Sequence, residues 1–370
     1  MKGKKDIFSG HQRVREFSAR LAVGENPGDE EVAEVLGQEV VVPFRYAQDC
    51  LRGLVRRTTG EPAFCHSADI ALRALDLGYP DSTLVVCLLH DTVEDRSSSP
   101  AELSRCLAEV GRRFEAPAQD VRLCTNRYSV LLRSLGRRVP PDLPFQQSSL
   151  EPVRKALRKF EKELPHDLSC EFEHEFRQFL DYFLDEVDLS RGAQKARIDS
   201  TYTVLAELRL QSYRLFVEEI ADDARTRKAP AAGTFHENPL VTKSLDLVDN
   251  LRTSEVSSLA SLQRILFKSE TLLDASFYLH DYVRQSNNTQ ATFILLYDYL
   301  KHHLVEQLWE RKRALASLAD TRFAYLADFL VQEISRLQQK YKVGEFPVTE
   351  LDRIRDSIRE LNESCADPHV

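Results

Sequence analysis

In LLHDTVED, residues 88–95, one imidazole and three carboxylates stand within six positions at the end of an apolar run. On a helix, Glu94 lies one turn beyond His90 and Asp95 one turn beyond Asp91, so the four crowd adjacent faces of one helix end. Carboxylates packed this closely repel one another unless protons or a cation compensate. A hard or borderline ion held by nitrogen and oxygen does so. Two ligands do not make a site, and the sequence offers partners elsewhere. His66 opens the helical stretch after the break GEP (60–62), and in KSLDLVDNLRT (243–253) Asp246 and Asn250 share a face at i and i+4. The predicted metal set is His66, His90, Asp91 and Asp246, two neutral nitrogens and two anionic oxygens. A six-coordinate ion then keeps positions for water and a substrate oxygen. The plainer reading of 90–95 is a solvated, salt-bridged helix end; the accompanying His66 and Asp246 favour the ion.

Other clusters carry less. His166–Asp167 follows Pro165 in a polar loop without an apolar scaffold, and His280–Asp281 has no carboxylate one turn on. Glu171, His174 and Glu175 in EFEHEF read as a charged outer helix face. FRQFLDYFLDEV (176–187) reads as core of an inserted subdomain, and the pair at 302–303 in LKHHLVEQLW as structural. The basic tract VRKALRKFEKE alternates charge and reads as a solvated face.

The elements that must position these groups are helical throughout. Residues 43–58, 64–77 and 81–95 read as helices, with Gly78 and Pro80 ending the second and Asp81 or Ser82 capping the third. RVPPDLP (138–144) and TRKAPAAGTFHENP (226–239) are connections. Helical pattern fills 171–188, 198–221, 240–254, 256–285, 290–316, 317–342 and 349–362, the last opening on Thr349 and Asp352 in capping-box spacing.

The 370 residues suffice for one large domain or two ordinary ones. No segment approaches the ~20 apolar residues of a membrane span. The N-terminus has charge but no apolar h-region, so a cytoplasmic protein is expected. The seven cysteines form no CxxC pair and read as reduced core residues. A net charge of −8 argues against nucleic acid and anionic membranes as partners, and leaves room for a local basic pocket.

RTTGEPAFCH (57–66), LLHDTVED and KSLDLVDNLRT, in that order, resemble the hydrolase domain of RelA/SpoT-type alarmone enzymes and small alarmone hydrolases. These belong to the wider HD-domain metal-dependent phosphohydrolases. KSETLLDASFYL (268–279) is similar to the family's following ETL helix. The resemblance covers roughly 43–125 and 240–285. It implies that His66, His90, Asp91 and Asp246 hold one divalent metal, usually manganese, and that Glu94 and Asp95 orient or deprotonate the attacking water. It further implies that Asn250 and Thr253 line a nucleotide pocket with Arg57 and Thr59 on the loop opposite. Arg57 has a second reading, since paired arginines at a helix end complement its dipole. The implied reaction removes pyrophosphate from the 3′ position of guanosine tetra- or pentaphosphate (ppGpp), the alarmone of the stringent response.

Departures from the family pattern are specific. Thr58 stands where a basic residue is usual, Asp249 where a His is usual, and Ala63, Phe64 and Ser67 also differ. Asp91 and Asp246 are 155 residues apart, about twice the usual interval. The expected architecture is therefore all-α. An HD-type core (43–126 and 240–285) carries an N-terminal extension (1–42), a helical insertion (127–239) and a C-terminal helical extension (286–370). The 117 residues after Thr253 lack the strand-rich pattern of a synthetase half, so a hydrolase without synthetase is expected. Two alternatives stay open: an HD phosphohydrolase for another phosphorylated nucleotide, and a non-catalytic nucleotide-binding regulatory protein. A protein partner or a second copy would dock through the insertion or the C-terminal helices.

Overall fold

The computed structural model describes residues 12–56, 59–97, 99–136, 204–226, 238–253, 265–275 and 324–340, with Asp356 and Arg359. His166, Glu171, His174, Glu175, His280, the 302–303 pair, the tract VRKALRKFEKE and the Thr349 capping box lie outside these residues. Among those described the fold is all-α, without strand or sheet.

The first half runs α1 (Gln12–Ala22), α2 (Asp29–Leu36), a 3-10 turn (Gln38–Val40), α3 (Val41–Cys50) and α4 (Ala63–Asp76). It continues with α5 (Asp81–Glu94), α6 (Pro100–Arg113), α7 (Glu115–Cys124) and α8 (Arg127–Gly136). Then come α9 (Val204–Thr226), α10 (Asn238–Thr253), a helical stretch at 265–275, and α11 (Ala324–Lys340).

The apolar run of α5 decides the arrangement. Residues 83–90 are buried on every side, so this helix is central and its neighbours must enclose it. Its most extensive pairing is with α4, and α3, α7 and α10 cover the remaining faces. Leu84, Leu88 and Leu89 are fully enclosed, each contributing about 2 kcal/mol by burial. α10 packs against both α4 and α5, which brings residues from two distant parts of the chain to one place. α1 leans on α4 through Phe17 and Leu21, with Ser18 Oγ donating to Asp69 Oδ1 at 2.7 Å.

Within the stretch read as an insertion, α9 packs on α8 and reaches α10. Glu219 on α9 accepts from Arg127 (2.8 Å) and from the Tyr128 hydroxyl (2.5 Å). Further on, Arg336 of α11 makes a two-pronged bond to Glu270, and Arg359 bonds the Asp76 carboxylate at the end of α4.

Two local expectations are corrected. The helix predicted over 43–58 stops at Cys50. Gly53 takes a left-handed φ of +79°, and Val55 pairs with Pro62 in an isolated antiparallel bridge, so Leu54–Arg56 is extended. Neither Asp81 nor Ser82 caps α5: the cap position is Pro80, and Asp81 is the first helical residue. The stop at Gly78, with φ +73°, is as predicted. The described cysteines (Cys50, Cys65, Cys87, Cys106 and Cys124) are all free, as expected; Cys170 and Cys365 lie outside the described residues.

Candidate metal centre

Three helices supply the centre. His66 sits in the first turn of α4, His90 and Asp91 near the end of α5, and Asp246 in the middle of α10. His66, His90 and Asp246 each offer one ligand-type atom, and these atoms lie within 4.8 Å of one another. Atoms bound to one ion at ~2.1 Å each are at most ~4.2 Å apart, so a small inward shift suffices to share a cation. Asp91 borders both imidazoles, its Oδ1 3.1 Å from His90 Nε2 and its Oδ2 3.6 Å from His66 Nε2.

The His90 ring is completely buried, which removes the solvated-helix-end reading for that residue. Its Nδ1 lies 2.7 Å from the Cys87 carbonyl, and only an N–H can satisfy that acceptor. That leaves Nε2 as the outward ligand-type atom of the ring, facing Asp91, and it makes no hydrogen bond. A buried polar atom without a hydrogen bond costs about 1–3 kcal/mol, and here it points among carboxylates.

His66 is held from the other side. Its Nδ1 meets Asp249 Oδ2 at 2.7 Å, and its Nε2 lies 3.1 Å from Asp246 Oδ1. A carboxylate behind one ring nitrogen fixes the ring and directs the other nitrogen forward, the usual outer partner of a metal-binding imidazole. Burial disfavours protonation of His66, but Asp246 and Asp249 outweigh it and push its pKa up to about 10.

The acids stay ionised despite their surroundings. Burial opposes ionisation of Asp91, but the His90 imidazole and the Lys243 ammonium hold it below the usual carboxylate range. For Asp246 burial is likewise outweighed, by Lys243 and by His66. The Lys243 ammonium donates to Asp246 Oδ2 at 3.2 Å, and Asp246, Asp91 and Glu94 keep it charged against the effect of burial.

The remaining predicted residues are placed unevenly. Asn250 joins the cluster, donating to Asp246 Oδ1 at 2.5 Å. Glu94 is half-buried, and its Oε2 accepts the Asn126 N–H at 3.1 Å. Asp95 is exposed, and its N–H donates to the Asp91 carbonyl where α5 ends. Thr59 lies in an exposed turn, its hydroxyl accepting the Glu61 N–H at 3.3 Å. Arg57 lies outside the described residues. Thr253 is the last residue of α10, and its side chain lies outside the described part.

Sequence reasoning missed Lys243, Arg56 and the service of Asp249. Lys243 and Asp249 stand three residues either side of Asp246, one turn away on the same helix, so a periodicity signal existed. Arg56 had none beyond its place in an arginine pair. Its guanidinium bonds Asp249 Oδ2 at 2.7 Å and Asn250 Oδ1 at 3.1 Å.

The chain is similar to a guanosine-3′,5′-bis(diphosphate) 3′-pyrophosphohydrolase of Aquifex aeolicus, 32% identical over 72 residues, which are 20% of this chain and 10% of that protein. Proteins named GTP pyrophosphokinase rsh from Brucella ovis and Brucella abortus are 31% identical over 64 residues, 17% of this chain and 8% of theirs. The likeness is partial. This chain spans about a tenth of the length of these RelA/SpoT-type relatives. No family model matches the chain. No solved structure matches it either. No helix among the described residues is long and apolar enough to cross a membrane.

Proposed function

We propose that this chain is an HD-type metal-dependent phosphohydrolase whose substrate is a phosphorylated guanosine nucleotide, with the 3′-pyrophosphate of ppGpp as the group removed. The observation that carries the reading is the convergence of His66, His90, Asp91 and Asp246 from three helices, with the buried His90 Nε2 left without a hydrogen bond. Two nitrogens with two ionised oxygens suit a divalent first-row ion, manganese among them. The short likeness to a pyrophosphohydrolase supports the substrate class.

His66 and His90 would hold the ion through Nε2, and Asp91 and Asp246 through their carboxylates. A divalent ion bound there supplies a Lewis acid that neutralises phosphoryl charge and makes water a nucleophile near neutral pH. In this reading Glu94, one turn beyond His90 and with its carboxylate accepting the Asn126 N–H, takes the proton of an attacking water. Asp95, at the exposed helix end, orients that water or passes the proton to solvent. The Lys243 ammonium adds fixed positive charge on the side of Asp246, balancing the acids before substrate enters. Asn250, Thr253, Arg57 and Thr59 form the nucleotide side in this reading. Pyrophosphate leaves as a stable anion, and no covalent enzyme intermediate is needed.

One observation favours a second reading, a related phosphohydrolase for another nucleotide. Both polar atoms of the Asn250 amide are engaged, by Arg56 and by Asp246, which alters a group expected to face the nucleotide. Incubation with manganese and a panel of phosphorylated nucleotides, following released pyrophosphate and phosphate, tests both. Pyrophosphate from ppGpp is expected; turnover of a different nucleotide alone selects the second reading. Stoichiometric binding without turnover of any of them overturns both in favour of a regulatory binder. Incubation with GTP and ATP is expected to yield no pyrophosphoryl transfer.

A further inference from the structure

One guanidinium joins the turn before α4 to both sides of the metal centre. Arg56 donates to Asp249 Oδ2, the same oxygen that meets His66 Nδ1, and to Asn250 Oδ1. Asn250 in turn donates to Asp246 Oδ1. Each arm of Arg56 therefore ends, one residue further on, at a different candidate ligand. Asp249 is fully buried and the Arg56 side chain is only 11% exposed, so solvent screens this pair weakly. Arg73 stands farther off, 3.9 Å from the other Asp249 oxygen. Backbone bonds tie Leu54 and Arg56 to the residues just before α4. Arg56 N–H donates to Glu61 O (2.8 Å), Gly60 N–H to Arg56 O (2.9 Å) and Ala63 N–H to Leu54 O (2.8 Å).

We propose that Arg56 is a positioning residue that holds the His66–Asp246 pair in place through Asp249 and Asn250. Divalent-cation binding and the two-armed engagement of Arg56 are then one coupled event. The proposal rests on the metal reading above. A planar guanidinium holds two acceptors at a fixed angle, which a lysine ammonium does not. A cation bound by His66 and Asp246 immobilises the groups behind which Asp249 and Asn250 stand. That lowers the entropy lost when the guanidinium engages both, and by linkage the engaged guanidinium strengthens cation binding equally.

The test uses the full chain, treated with chelator and titrated with Mn2+ alone, while hydrogen exchange is followed at the Arg56, Gly60 and Ala63 amides. In the wild type, exchange at these amides is expected to slow about tenfold on saturation. Arg56→Gln is expected to lower Mn2+ affinity by ~10–100-fold, the range for outer partners of metal ligands, and to abolish the exchange response. Arg56→Lys, with charge but one arm, should fall between. Wild-type affinity in Arg56→Gln overturns the coupling, as does an exchange pattern in the wild type that ignores Mn2+. If Arg56→Gln loses its helical circular dichroism, the wild-type exchange response decides alone. Mn2+ binding that persists in Asp246→Ala overturns the metal reading itself. Loss in that variant, with Arg56→Gln unaffected, overturns only the positioning role of Arg56.

Discussion

The His90 imidazole is oriented by the carbonyl of Cys87, three residues earlier on its own helix, whereas His66 is oriented by Asp249, 183 residues further along the chain. The first device is local and built from backbone, so it forms whenever α5 forms and survives side-chain replacement. The second is a partly buried side-chain network around Asp249, with Arg56 and Asn250, that exists only once α4, α10 and the preceding turn have docked. One half of the centre is thus set by helix geometry and the other by tertiary packing. The second half is the one open to tuning.

The largest expected effect lies on the His90 side. Glu94→Gln should lower turnover by ~10²–10⁴-fold, the usual contribution of a positioned general base. Mn2+ affinity should stay within a few-fold, because the ligand atoms are untouched. Turnover and metal titration measured on one preparation check this, and an unchanged rate removes Glu94 from the chemistry.

The outer partners of the two imidazoles should differ in what they control. Asp249→Asn should weaken Mn2+ binding by ~10–100-fold. Cys87→Ala should leave it within about twofold, since the oxygen that orients His90 belongs to the backbone. The Cys87 change should act on the fold instead, by about 1–2 kcal/mol, because its buried thiol sits 3.4 Å from the Thr242 hydroxyl. Calorimetric titration with chemical denaturation separates the two. Equal losses of metal affinity in both variants would erase the distinction.

A further effect is in pH. Against burial, Asp246 and Asp249 raise the His66 pKa from 6.5 to about 10. In chelator-treated protein, the stability from that proton is fully present below pH 6.5 and lost as pH rises through about 10, so the melting temperature should fall across that window. Mn2+ must displace the same proton, so its apparent affinity should rise by about tenfold per pH unit below 10. An affinity independent of pH between 7 and 9 contradicts a protonated His66.

The same division explains what the sequence made legible. The helices predicted over 64–77 and 81–95 appear as Ala63–Asp76 and Asp81–Glu94, because Gly78 and Pro80 punctuate strongly between two uniform patterns. The prediction over 43–58 failed at Gly53, where a left-handed residue and the Val55–Pro62 bridge depend on a partner across the turn. His90 and Asp91 were legible from the local spacing of LLHDTVED, whereas His66 and Asp246 were legible only as members of a constellation spread over three segments, and the four lie close together in the fold. Asp249 was visible only as an odd residue in a familiar pattern. What it does depends on His66 and Arg56, which only folding brings to it. Arg56 was indistinguishable from its neighbour Arg57.

The most direct measurement is the binding stoichiometry of Mn2+ to the full chain by calorimetry, repeated on His90→Ala and Asp246→Ala. The account predicts one ion per chain, lost in both variants with helical circular dichroism unchanged. No binding to the wild type, or undiminished binding to either variant, would contradict it.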